Sequence, residues 1–496
     1  MINSYVLPLL PISVRKMFER IKSSPLGYRL VHGTLWSILG AVVSRSLGLV
    51  AFVIVARALG KAGYGRFGII QSTIGMFGVF AGFGLGQTST KYVAELRDKD
   101  PERAGKIMAM AGLVAQISGI LMAALLFVFA PWLASNSLAA PELTPLLRIG
   151  SFILIFEAIN GSQIGALAGF EAFKITAKIN MIVGLVNFPM MLLGVYWGGL
   201  TGSIWALGAN RALNCLLNHI SLKNEANRVG VPLLFKGSKS ELKVLWHYSF
   251  PSMLSGLMVT PALWVCNAMI VNQPDGYNQM GIYQAVIIFQ QILFFMGNSI
   301  SAPLVPLLAS RIGQKSERLD RINMLSTWAL GALPAVIFLG VPELATILFG
   351  KGFAGRNFTN TFILIVFCSS VVIYKQGLAR VLSAHGLMWW GALSNFSWAI
   401  TLIVFTKLFI GMGAVGYGIS LTCAYIINVL IFIPLYVYKG LVPKGTMISF
   451  EAHCIWMLLI IGISLNYFNI NIYWRIGFVP ISAITMCVMF WRLMVK

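Results

Sequence analysis

The sequence predicts an all-α polytopic membrane protein of about fourteen transmembrane helices. It predicts two six-helix lobes in parallel pseudo-repeat, followed by two C-terminal helices. Three observations lead there. First, 58% of the 496 residues are hydrophobic and only 10% are charged, whereas a soluble domain carries about 25% charged residues. Second, apolar runs of about 20 residues recur along the chain, the length at which a helix spans hydrocarbon. Strands of a β-barrel would be half as long and would alternate in polarity. Third, one turn occurs twice. "KAGYGRFGIIQS" (61–72) and "PDGYNQMGIYQA" (274–285) match at Gly63, Tyr64, Gly68, Ile69 and Gln71 with Gly276, Tyr277, Gly281, Ile282 and Gln284, all at one offset of 213 residues.

The chain opens with a basic segment, 1–32, assigned to the cytoplasm. Arg15, Lys16, Arg20 and Lys22 alternate there with Val14, Met17, Phe18 and Ile21. The bases follow a short apolar stretch instead of preceding one, so this is not a signal peptide. It reads as a short basic helix on the inner leaflet or as a solvated tail.

The first lobe, 33–220, holds spans at 33–57, 67–89, 107–130, 146–168, 175–196 and 200–220. A cytoplasmic linker, 221–248, carries Lys223, Arg228, Lys236, Lys239 and Lys243. The second lobe, 249–437, holds spans at 249–272, 279–309, 322–348, 359–382, 389–409 and 414–437. Two last spans, 450–466 and 475–495, lie in the segment 438–496. An even number of spans separates the lobes, so they share one orientation.

Charge sets that orientation. Of 37 lysines and arginines, the loops placed outside hold Lys61, Arg66, Arg148, Lys351, Arg356, Lys407 and Arg475. Arg45, Arg57, Arg211, Lys375 and Arg380 lie within spans, and the rest lie on the other side. Cytoplasmic loops collect Lys and Arg, which puts both termini inside. The formal charge of +22 follows from topology and from attraction to anionic head groups, and no nucleic-acid partner is expected. Cys215, Cys266, Cys368, Cys423, Cys454 and Cys487 all fall in apolar runs without a CxxC and read as buried small hydrophobes.

Further matches follow the repeated turn. Glu102-Arg103 in "DPERAGK" meets Glu317-Arg318 in "KSERLDR". Gly199, Gly202 and Asn214 meet Gly413, Gly416 and Asn428. Parallel repeats of this kind build transporters whose substrate site lies between the halves. Gly63 and Gly276 are expected to permit the tight turns, with Tyr64 and Tyr277 at the membrane interface.

Charges inside the membrane cost several kcal/mol and face a cavity or a partner. Arg45 lies mid-span in the first helix. Arg211 lies in the sixth, with Asn214 and Asn218 on its face. Lys375 and Arg380 lie in the tenth, and Glu157 is the one carboxylate near a span centre. Four bases against one acid suit an anion, which arginine grips by paired hydrogen bonds and lysine as a point charge. The alternative is structural: Arg45 pairs with Glu157, and the others snorkel to the inner surface. Gln284, Gln291 and Asn298 repeat every seven residues in the eighth span, as Asn180 and Asn187 do in the fifth. They bond either sugar hydroxyls or neighbouring helices. Pro251, Gly256 and Pro261 make the seventh span a candidate bending gate, against the alternative of a static kink.

"VSRSLGLVAFVIVARALGKAGYGRFGIIQS" (43–72) followed by "GFGLGQTSTKYVAE" (82–95) resembles the opening of Wzx-type polysaccharide flippases. These belong to the MOP superfamily, with the lipid II flippase MurJ and the MATE antiporters. Ser44-Arg45-x-Leu47-Gly48 also resembles MurJ's first helix. The resemblance implies two six-helix bundles in a V plus two C-terminal helices. It implies alternating-access export of oligosaccharide linked to undecaprenyl diphosphate across the bacterial cytoplasmic membrane. The last two spans would make a groove for the isoprenoid tail or pack on one flank. Expected partners are that lipid-linked oligosaccharide, membrane lipids, and polysaccharide polymerase or chain-length machinery, with the chain itself a monomer. No cofactor or metal is expected.

An enzyme is the first rival. The chain lacks a GxxxxGK[ST] phosphate loop, its histidines His32, His219, His247, His385 and His453 are scattered, and its loops are short. A MATE-type drug or cation antiporter is the second rival, but organic cations want carboxylates and this interior is rich in bases. A MurJ-like lipid II flippase remains the near alternative.

Overall fold

The computed structural model describes residues 25–235, 237–244, 249–250, 253, 257–298, 317–384 and 387–495. The basic stretch up to Lys22, and Pro251 and Gly256 of the candidate gate, lie outside the described residues. Regular structure among the described residues is helical. The long helices are α1 (Pro25–Gly82), α2 (Leu85–Leu96), α3 (Pro101–Trp132), α4 (Thr144–Gly169), α5 (Phe173–Val229), α6 (Thr260–Val271), α7 (Gly276–Asn298) and α8 (Glu317–Gly340). They continue with α9 (Glu343–Phe349), α10 (Arg356–Tyr374), α11 (Gln376–Ala384), α12 (Met388–Phe409), α13 (Gly413–Tyr438), α14 (Phe450–Tyr467) and α15 (Ile472–Val495).

Nine stretches of the described residues are long and apolar enough to cross a membrane. Three of them hold two crossings each, because the chain folds back within them. In α1 it does so at Gly60, where φ is 67° and ψ 178°, a conformation that only glycine adopts without strain. The rings of Phe52 and Phe67, fifteen positions apart, are therefore 6.2 Å from each other. In α5 the reversal is at Gly199 (φ 53°, ψ −128°), and between α12 and α13 it is at Gly413 (φ 61°, ψ −135°). With α4 and the seventh span, of which α6 is the main described part, these account for the fourteen expected crossings.

The turn is thus not where the repeat motif suggested. Helix resumes at Lys61, so Gly63 and Tyr64 lie inside the second span, and Gly60 makes the reversal. Gly276 opens α7 after Asp275, and what demands glycine there is proximity. A Cβ on it would lie 2.3 Å from the Ile270 carbonyl oxygen.

The internal repeat is visible in backbone detail. Gly199 and Gly413 share one conformation, and Gly202 and Gly416 are both pressed against a carbonyl of the preceding span. A Cβ would sit 2.0 Å from Gly194 O in the first case and 1.9 Å from Phe409 O in the second.

Three expected spans are broken. The second bends at Phe83–Gly84, both at positive φ, before α2. The ninth stops at Val341, because Pro342 has no N–H to continue the ladder, and α9 follows. The tenth breaks at Lys375 between α10 and α11.

The expected linker begins as helix. α5 continues to Val229 and ends on Gly230 in the left-handed conformation. The following strand of coil lies on the first half. A Cβ at Gly105 would meet Pro232 O at 1.7 Å, and Arg103 donates to Glu241 at 3.0 and 3.2 Å.

The helices up to Val229 pack mainly on one another, as do those from Thr260 to Tyr438. Contact between halves runs mainly through α1, which meets α6, α7 and α9. α14 and α15 pack on α8. Arg475, counted among the charges of the outside loops, is buried. It holds Glu343 of α9 at 2.5 Å and also bonds Asn466 and the Ile470 carbonyl.

Candidate functional site: a polar patch between the halves

The two halves are sealed at the end that carries Gly60, where small residues let backbones touch. A Cβ at Gly65 would lie 1.9 Å from Tyr277 O, one at Gly281 2.0 Å from Lys61 O, and one at Gly68 2.2 Å from the Gln284 side chain. The Tyr277 hydroxyl donates to Leu138 O at 2.7 Å, and Asn272 donates to Ser137 O at 2.7 Å. Arg57 caps the carboxyl end of α9, donating to the Ile347 and Leu348 carbonyls at 2.8 Å each. Those last carbonyls have no helical partner and carry the negative end of the helix dipole. A seam between the second span (α1 and α2) and the seventh span continues away from this end. Trp264 donates to Thr73 at 3.0 Å, Asn267 to Ser72 at 2.8 Å, and the hydroxyls of Thr88 and Ser249 are 2.6 Å apart.

Deeper in the molecule lies the polar patch. At 1.5 Å per residue, Arg45 is about 22 Å from Gly60, Glu157 about 20 Å from the start of α4, and Arg211 about 18 Å from Gly199. In a hydrocarbon core of about 30 Å, all three sit well inside. Arg45 is exposed. Its guanidinium carbon lies 4.5 Å from the ring centroid of Phe295 on α7, a cation–π contact across the boundary between the halves. Among the described residues no carboxylate reaches it. Phe295 is one turn beyond Gln291, so Arg45 sits at the helix face that carries Gln284, Gln291 and Asn298. Gln291 and Asn298 are exposed, while Gln284 is half-buried in the seal against Gly68.

Glu157 pairs with Arg211, at 3.3 Å, and its other oxygen abuts Gly78, where a Cβ would come within 3.3 Å. The structural alternative of an Arg45–Glu157 pair is therefore corrected. Arg211 takes the acid because α4 and the second arm of α5 pack side by side.

The remaining expected residues divide. Asn214 is buried inside the first half. Asn218 donates to its side chain at 2.6 Å and to Asn160 at 2.7 Å, a lock between spans worth about 0.6–2 kcal/mol in a membrane. Arg380 turns into α8, donating to Asn323 Oδ1 at 2.7 Å, to Asn323 O at 2.9 Å and to Thr327 at 2.5 Å. Lys375 lies in a separate cavity of the second half. Pro261 is in the first turn of α6, where proline is tolerated because that N–H has no helical partner. The interruption lies just before it, at Met258–Val259. Phe295 escaped the sequence reading, and Arg57 was placed within a span without a role. Asn267, a lone amide in an apolar run, was a signal that could have been used.

A family model described as polysaccharide biosynthesis protein matches residues 30–312, more than half of the chain. The chain belongs to this family. Among its relatives, the EPS I polysaccharide export inner membrane protein EpsE of Ralstonia nicotianae is 23% identical over 412 residues, covering 78% of this chain and 90% of that one. The lipid III flippase of Escherichia coli is 24% identical, covering 62% of this chain and 74% of its own. A solved structure of the lipid II flippase MurJ, in an inward closed conformation, superposes with a TM-score of 0.67 at 16% identity. It covers 93% of this chain and 100% of MurJ. This member of the family is thus a multi-pass membrane protein that shares the fold of the MurJ structure.

Proposed function

We propose that the protein flips an undecaprenyl-diphosphate-linked oligosaccharide across the cytoplasmic membrane for surface polysaccharide assembly. The observation that carries this reading is Arg45: a mid-membrane guanidinium at the boundary between two halves, with an aromatic face and amides beside it. A diphosphate offers the paired oxygens that guanidinium donors fit. The amides of Gln291 and Asn298 suit sugar hydroxyls. The names of the two relatives, an export protein and a flippase, support the class.

In this reading the Gly60 end faces outward and the termini lie in the cytoplasm. The sealed end is the closed outer gate, and cargo enters from the opposite end before the halves rock apart. A cation antiporter would need a free acid at mid-depth, and Glu157 is occupied by Arg211. Deleting the gene tests the proposal. Surface polysaccharide should be lost while its lipid-linked intermediates accumulate. Loss of peptidoglycan synthesis instead would assign the MurJ-like role.

A further inference from the structure

Lys375 occupies a cavity of about 190 Å³ formed wholly within the second half, at the break between α10 and α11. Its Nζ bonds Asn428 Oδ1 and lies 5.7 Å from the Tyr425 ring centroid. Ser394 completes the polar floor, its hydroxyl 3.2 Å from the same Asn428 oxygen and 3.0 Å from its amide nitrogen. The walls are apolar: Leu378, Leu382, Val429, Phe432 and Ile433. Among the described residues no carboxylate lines the cavity.

The repeat shows that the same asparagine can be held without a charge. Asn428 corresponds to Asn214 at the same offset as Gly413 to Gly199. In the first half that asparagine is held by neutral amides, Asn218 and through it Asn160. The second half keeps the asparagine and sets a lysine against it.

Depth completes the argument. Lys375 is about 28 Å along α10 from Arg356 by helical rise, close to the limit of a hydrocarbon core of about 30 Å. At the rim Lys439 lies 4.5 Å over the Trp390 ring, and Tyr436, which lines the cavity, donates to Trp390 O at 3.3 Å.

We infer that this cavity is a binding site for an anionic phospholipid of the leaflet opposite the Gly60 end. The head-group phosphate meets Lys375, Asn428 and Ser394, and an acyl chain lies along the apolar walls. A cation at the floor of an apolar pocket, at head-group depth, fits an anionic amphiphile better than a free anion. The ligand is a resident lipid, separate from whatever cargo passes between the halves, so the inference stands independently of the proposed transport.

The test uses the delipidated full-length chain, followed by native mass spectrometry and thermal unfolding. Phosphatidylglycerol should bind one copy at least tenfold more tightly than phosphatidylcholine of the same chains or glycerol 3-phosphate. Lys375→Gln, which can still bond Asn428, should lose that tenfold preference. Lys444→Gln, an exposed base outside the cavity, should keep it. If Lys375→Gln does not assemble, Ala392→Phe blocks the cavity with the charge retained and should lose binding equally. Wild-type preference in both cavity variants, or equal binding of the two phospholipids, would overturn the inference. So would a Lys375-dependent site that takes glycerol 3-phosphate as well, or that prefers undecaprenyl diphosphate.

Discussion

Glu157 lies 3.3 Å from Arg211, and this pairing leaves the Arg45 guanidinium to the face of Phe295. Arg45 is therefore expected to act on cargo and not on the scaffold. Arg45→Met should lower transport more than tenfold with normal protein in the membrane, since losing one charge-assisted contact costs about 2–5 kcal/mol. Arg45→Lys should keep partial function, because the charge survives without the paired donors. Measured by complementation and by blotting of membranes, full transport in Arg45→Met would remove it from the mechanism.

The same pairing predicts where stability couples. Glu157→Gln leaves Arg211 charged without its acid, and a lone charge at mid-membrane costs about 2.5–3.5 kcal/mol. A partly exposed ion pair is itself worth about 0.2–1 kcal/mol, so the stranded charge decides the outcome. Glu157→Gln with Arg211→Gln should unfold at a higher temperature than either single variant. Coupling of Glu157 to Arg45 instead, in the same double-mutant cycle, would contradict the observed pair.

The sealed end should be a moving gate. Cysteines at Arg66 and Tyr277, whose side chains stack with the guanidinium 5.6 Å from the ring centroid, should crosslink, and transport should stop until the bond is reduced. In the opposite direction, Gly281→Val puts side-chain atoms where Lys61 O now lies. It should hold this end apart, so that a cysteine at Gln284 reacts with an impermeant thiol reagent that misses it in the parent. Unimpaired transport with the crosslink complete would show that these helices do not separate.

Topology is checked by labelling whole cells. A cysteine at exposed Arg356 should react with an impermeant reagent, and one at exposed Lys444 only after permeabilisation. The reverse pattern would invert the orientation set by the loop charges.

What the sequence revealed and what it hid have separate physical causes. The reversals at Gly199 and Gly413 were legible because these glycines recur at one offset, and a backbone need that repeats leaves the same residue twice; the one at Gly60 was hidden behind the repeated motif that begins at Gly63. Arg45 was legible because a charge in an apolar run is costly wherever it points. Its contact was not, since Phe295 lies 250 positions away and looks like any apolar residue. The break at Lys375 was hidden by helix-compatible neighbours on both sides. Pro342, by contrast, announced the end of α8 through its missing N–H and was read through. The Arg211–Glu157 pair needed the packing of α4 on α5, which no spacing within one helix encodes.

The seven-residue helix α9 has a different owner at each end. Its amino end is gripped by Arg475, through Glu343, from the start of the last helix, and its carboxyl end by Arg57 from the first. The first grip stays within one packed body, while the second crosses to the other. When the bodies part, Arg57 must let go and Arg475 need not. In the proposed cycle α14 and α15 should then travel as passengers of the second half, their distance from α8 constant while their distance from Arg57 changes.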